Sequence, residues 1–211
     1  MKKSLLVLIT FCSFGLFAQE ISLQGGVSFG ALDYEIAAFP NSNLYEESTT
    51  EANFRFSFLK PLKEGQSLDF GLGYLVKSGQ NEFVFTNNQG EETGSTTTQL
   101  RFNYLSLSGL YTYNISSDGI IPYVQIGPKL DVLIDDNTGE GFDKDNLNSV
   151  QFGAVGGLGV KKEFGKMVLG LISRYHLDFN KIGKWQNDGQ EGTNSISGNR
   201  FTLNASISYR L

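Results

Sequence analysis

The 211-residue chain reads as an all-β protein, an eight-stranded antiparallel up-and-down transmembrane β-barrel. Three observations carry that reading. Extended segments with one apolar and one polar face, the period-two signature of strands, recur eight times. Their connections alternate long, short, long, short, long, short, long, which collects the long loops at one end. Beyond residue 18 no apolar run is long enough for a membrane-spanning helix. Residence in a membrane would therefore require a closed sheet that pairs every backbone group.

Ahead of the strands, Lys2 and Lys3 precede an apolar run from Leu5 to Phe17 and then Ala18-Gln19-Glu20. A charged start, a short apolar core and a small residue predict a signal peptide over 1–18, cut after Ala18. Leu16 is larger than the small residue usual three positions before a cut. The apolar run is too short to span a bilayer as a helix. The predicted barrel domain is 19–211. Cys12, the single cysteine, lies in the leader, and Ile9-Thr10-Phe11 before it form no lipobox. The domain 19–211 therefore has no disulfide, thiolate zinc site or cysteine nucleophile. Without Lys2 and Lys3 the 17 basic residues fall to 15 against 22 acidic ones, a net charge of −7. That balance argues against nucleic acid as a partner.

The strands follow in order. The first, about Glu20 to Ala31, sets Ile21, Leu23, Val27 and Phe29 on one side. Asp33 to Glu51 is long and polar with no strand pattern. The second, Ala52 to Lys60, alternates Phe54, Phe56 and Phe58 with Asn53, Arg55 and Ser57, and Pro61 to Gln66 turns the chain. The third, Ser67 to Lys77, opposes Leu68, Phe70, Leu72, Tyr74 and Val76 to Asp69, Gly71, Gly73 and Lys77. Ser78 to Thr97 is polar again, but Phe83 and Phe85 predict that the third strand resumes beyond the membrane. The fourth begins near Thr98 with Leu100, Phe102 and Tyr104 in phase, then switches to Leu105, Leu107, Tyr111 and Tyr113. One extra residue near Tyr104-Leu105, a β-bulge, would produce that switch.

After a turn marked by Asp118-Gly119, the fifth strand carries Val124, Ile126, Pro128, Leu130, Val132 and Ile134 on one face. Tyr123, Gln125, Gly127, Lys129, Asp131 and Leu133 take the other. Asp135 to Asn148 is the third long loop. The sixth strand, Ser149 to Phe164, and the seventh, Met167 to Phe179, are joined by Gly165-Lys166. Asn180 to Gly198 is the fourth long loop, and Phe201, Leu203, Ala205, Ile207, Tyr209 and Leu211 form the apolar face of the eighth strand.

Alternation alone does not say which face points outward, and a soluble lipocalin-like barrel carrying a lipophilic ligand would alternate too. Composition separates the two. The polar faces are mostly Gly, Ser, Thr, Asn and Gln, suited to a cramped interior. The apolar faces are bulky and nearly uncharged, with Tyr and Phe towards strand ends as in an aromatic girdle.

At Asn103-Tyr104-Leu105-Ser106-Leu107 and Pro122-Tyr123-Val124-Gln125-Ile126-Gly127-Pro128 the chain resembles the outer-membrane β-barrel family of Bacteroidota that includes PorT-like proteins. Its architecture is similar to the small OmpX/OmpA barrels across 20–211. The resemblance implies location in the cell outer membrane after export, and no reaction.

The inward phase collects a polar network of Arg55, Asp69, Arg101, Lys129, Asp131, Arg174, His176, Asp178 and Arg200, with Lys77 and Arg210. Buried charges need partners, so the expectation is a salt-bridged plug. A narrow channel is the competing reading of the same residues. His176, the single histidine, lies near Asp178 and Ser173, which raises a lipid A-modifying enzyme. Ser173 points to the opposite face and no GxSxG motif is present, so no catalytic residue is assigned. The loop DDNTGEGFDKDN departs from an EF-hand at Glu140 and Asn146. Asp135, Asp143 and Asp145 remain weak metal candidates. Trp185, Phe142, Phe39 and Tyr45 stand in long loops, fit either for recognition or for packing on the rim.

The sequence thus predicts a monomeric, non-enzymatic barrel without a cofactor, displaying acidic loops. Its role would be structural, adhesive, or accessory to envelope assembly or secretion. Its expected partners are outer-membrane lipid, the barrel-insertion machinery and a surface or periplasmic protein.

Overall fold

The computed structural model describes residues 19–36, 43–137, 146–185 and 193–211; the predicted leader and Phe39, Phe142, Asp143 and Asp145 lie outside them. Eight long strands form the barrel wall: β1 (Glu20–Gly30), β4 (Glu47–Lys63), β5 (Gln66–Thr86), β6 (Glu92–Asn114), β7 (Ile120–Asn137), β8 (Val150–Phe164), β9 (Met167–Asp178) and β12 (Arg200–Arg210). Every neighbour pairing is antiparallel. The ring closes where β1 pairs β12, from Glu20 opposite Arg210 to Phe29 opposite Phe201. Closure leaves no sheet edge in the wall, the condition for placing strands in lipid.

Three short connections lie at one end. Gly65, Gly119 and Gly165 take φ of +73°, +71° and +63°, the left-handed conformation that tight hairpin turns require. The apolar faces point outward. Phe54 is 59% exposed, Ile126 64% and Leu158 66%, whereas Gln125, Lys129, Asp131 and Arg174 are buried inside. That settles the face question against an inward apolar cavity.

The long connections hold more order than their polar composition predicts. β2 (Asp33–Glu35), β3 (Asn43–Leu44), β10 (Gly183–Trp185) and β11 (Asn194–Ser197) build a second, four-stranded sheet in the order β10-β11-β2-β3. The first and fourth long loops therefore pair with each other across the barrel mouth. The third loop joins them, with Leu147 bridged to Gly183. β5 and β6 continue well past their neighbours, pairing as far as Thr86 opposite Glu92. Resumption of the third strand at Phe83 and Phe85 is thus observed.

The switch in the fourth strand has a different origin from a bulge within it. β6 pairs β5 without a break from Gln66 opposite Tyr113 to Phe85 opposite Gly94. A register shift does fall at Tyr104, but on the other side. Asn103 faces Asp135 and Tyr104 faces Leu133, so the extra residue is Ile134 of β7. The phase of β6 is constant, and Leu100, Phe102 and Tyr104 face inward, almost completely buried. They pack with Leu32, Ile182 and Ile196 of the capping loops. The apolar residues change face because the barrel interior changes from polar to apolar beneath the cap.

Candidate functional site

The interior is filled by side chains drawn from every part of the wall. At its centre Lys77 from β5, Lys129 and Asp131 from β7 and Asp178 from β9 form a closed ring of alternating charges. Lys77 Nζ lies 3.0 Å from Asp131 Oδ2 and 2.6 Å from Asp178 Oδ2. Lys129 Nζ lies 2.6 Å from an oxygen of each carboxylate. All four side chains are sealed from solvent. Lys77 also donates to Gln151 Oε1 and sits over the Tyr104 ring at 4.5 Å. Two ammonium and two carboxylate groups balance one another, which is what burial at this depth demands.

Closer to the short-turn end, Arg55 grips Asp69 through two hydrogen bonds of 3.0 and 2.7 Å, a fork geometry in which both nitrogens are used. Gly71 faces this guanidinium so closely that a Cβ there would collide with it. Arg174 donates through Nε and Nη2 to Gln125 Oε1 at 3.0 and 2.9 Å. Gln125 in turn donates to Thr112 and Asp69. Leu75, Leu110, Val155, Val168 and Ile172 fill the space between these groups.

The remaining expected members separate. Arg200 is inside at the long-loop mouth, donating to the carbonyl oxygens of Gly30 and Ser78. Arg210 caps the opposite end, paired with Glu163 and Glu20. His176 Nε2 meets Thr202 Oγ1 at 3.3 Å, while Asp178 is held by the two lysines. His176, Asp178 and Ser173 therefore form no triad.

Arg101 does not belong to the interior. Its side chain is 40% exposed, bonded to Asn103 Oδ1 and 3.5 Å from Glu51. The unbroken phase of β6 explains this: Phe102 and Tyr104 point in, so Arg101 points out. Asp135 accepts from Asn103 Nδ2 at 3.1 Å. Among the described residues no group of three or more His, Cys, Asp or Glu could hold a metal ion. Asp143 and Asp145 lie outside the described residues.

A family model described as "Outer membrane protein beta-barrel domain" matches residues 17–209. The chain belongs to that family. Solved structures of outer-membrane barrels share the fold at low identity. Neisserial surface protein A is 14% identical over 90% of this chain and 97% of its own, with a TM-score of 0.50. AlkL is 16% identical over 92% of this chain and 91% of its own, also at 0.50. The N-terminal barrel domain of Pseudomonas aeruginosa OprF is 12% identical over 92% and 98%, at 0.49. No curated protein matches the chain.

In an outer-membrane barrel the short turns are periplasmic and the long loops extracellular. The capping sheet thus lies outside the cell. Its apolar underside packs on the barrel mouth, and Tyr34 brings Tyr45 and Trp185 to ring distances of 5.8 and 5.5 Å. Burial raises both phenols above their ordinary value of 10.0, and Tyr45 raises Tyr34 further. Trp185 and Tyr45 thus pack on the rim, one of the two roles open to them in the sequence. The signal that the polar pattern concealed was the set of isolated apolar residues Leu32, Ile182 and Ile196.

Beyond the wall, residues 81–86 of β5 and the part of β6 opposite them form a two-stranded ribbon. β4 stops pairing with β5 at Glu47 opposite Gln80, and β7 stops pairing with β6 at Asn137 opposite Arg101. Among the described residues both outer edges of the ribbon are unpaired. Phe83, Val84 and Phe85 are exposed on it. Its acids are Glu82, Glu91 and Glu92, and residues 81–99 contain no lysine, arginine or proline.

Proposed function

We propose that this barrel is a non-enzymatic, monomeric display protein of the outer membrane, and that its ribbon is an adhesive element. The observation that carries the reading is the pair of open strand edges at 81–99, set beside a barrel filled by its own side chains. Natural proteins normally protect such edges with Lys, Pro or a covering element; residues 81–99 contain no Lys or Pro, and among the described residues no strand pairs with either edge. An open edge binds an extended segment of another protein by strand addition, with backbone hydrogen bonds providing much of the affinity. The acids favour a partner with basic side chains. The filled interior supports a structural rather than a conducting role, because an eight-stranded barrel has little room beyond its side chains. The resemblance at 103–107 and 122–128 supports placing the chain in the PorT-like branch of Bacteroidota barrels.

The test replaces residues 83–96 with an Asn-Gly turn. The variant is expected to insert and fold, shown by a band that runs faster before boiling than after, while attachment of expressing cells to protein-coated surfaces falls. Attachment equal to that of the wild type would remove the ribbon from the adhesive role.

A further inference from the structure

A small cavity of about 30 Å³ lies inside the barrel between Arg55 and Arg174, with Asn53, His176, Ser106 and Asn204 also on its wall. That volume suits one or two waters, or a single small ion. The charge balance around it is uneven. Arg55 is matched by Asp69, and the lysine–aspartate ring is matched internally. Arg174 is 3% exposed and meets only the neutral Gln125 oxygen; among the described residues no carboxylate lies within ion-pair distance of it. A guanidinium buried without a counter-charge is costly. Polar atoms without partners gather at the same place. Asn53 Nδ2 and His176 Nδ1 are buried with no hydrogen bond, as is Asn204 Oδ1. Asn53 is itself 5% exposed. When His176 Nε2 accepts from Thr202, Nδ1 carries the proton and becomes a donor beside the cavity.

We propose that this cavity is a binding site for a small monovalent anion of the halide class, which neutralises Arg174 and accepts from Asn53 Nδ2 and His176 Nδ1. A neutral water could use these donors and donate to Asn204 Oδ1, but it would leave the Arg174 charge unmatched. The site is independent of the ribbon and of any adhesive role.

Bromide is the probe. The protein is folded in detergent in potassium bromide or, at equal ionic strength, potassium gluconate, an anion too large for the cavity. The unboiled band is followed with temperature, and crystals grown in bromide are measured for anomalous scattering. The expected result is conversion several degrees higher in bromide and an anomalous peak between Arg55 and Arg174. Arg174→Gln should abolish both. Asn53→Asp places a carboxylate at the site, and should fold in either salt and melt at the same temperature in each. This second variant keeps the test decisive if Arg174→Gln fails to fold. Equal melting of the wild type in the two salts with no anomalous peak would overturn the proposal in favour of water. A peak without a melting shift would mean an adventitious ion only, and a bromide shift retained in Asn53→Asp would also overturn the site.

Discussion

Asp131 shows what one residue does in this barrel. Its carboxylate is shared by Lys77 and Lys129, so Asp131→Asn leaves two buried ammonium groups with one carboxylate. Removing one member of a buried ion pair costs about 3–5 kcal/mol, and the temperature at which the unboiled band converts should fall accordingly. Conversion at the wild-type temperature would show that the ring is hydrated rather than sealed. The inward placement of Asp131, Lys129, Asp69, Arg174 and Asp178 was legible in the sequence, because alternation along a strand assigns faces. Who pairs with whom was not. Pairing across the barrel depends on the stagger between strands, which a period of two does not contain. Arg101 failed for a related reason. Hydrophobicity alone puts its neighbours Phe102 and Tyr104 on the outer face and Arg101 inside, and the apolar cap above them reverses that inference.

At the scale of elements, the capping sheet is the part most hidden in the sequence. Its strands are two to four residues long, too short for any period to register. The pairing that joins its two local hairpins, β2–β3 and β10–β11, links segments far apart in the chain, as Glu35 with Ser195. What anchors it is apolar burial. Ile196→Ala removes a fully buried side chain and should weaken cap docking by about 2–5 kcal/mol. Trp185 is the single tryptophan, so its emission should shift to the red while the barrel band is retained; unchanged emission would mean that Ile196 does not hold the cap. The phenols give the cap a pH dependence of definite sign. Tyr34 and Tyr45 hold their protons more tightly docked than undocked. Docking is therefore unaffected below pH 10 and weakens as pH rises above it. Trp185 emission should begin to shift in that alkaline range before the barrel unfolds. A shift that coincides with barrel unfolding would contradict a separately docked cap. The ribbon, by contrast, was partly legible, since Phe83 and Phe85 show a two-residue spacing of their own, in the phase of Asp69 and Lys77, within a stretch otherwise read as loop.

At the scale of the molecule, closure of β1 on β12, outward apolar faces and membership of an outer-membrane family describe one object: a wall that holds an ionic core and carries its order outward in a cap and a ribbon. The wall was readable because lipid imposes the same alternation on every strand. A filled interior predicts no stable conductance in planar bilayers; reproducible single-channel steps would contradict the plug. The orientation of an outer-membrane barrel puts the ribbon outside the cell and the short turns in the periplasm. Residues 19–211 contain no cysteine, so a thiol introduced among them is the single one in the barrel. The decisive measurement is labelling of Thr96→Cys and Asp118→Cys on intact cells with a membrane-impermeant maleimide. Thr96→Cys should react on intact cells and Asp118→Cys only after the outer membrane is opened. Labelling of Asp118→Cys on intact cells, with Thr96→Cys protected, would contradict that orientation.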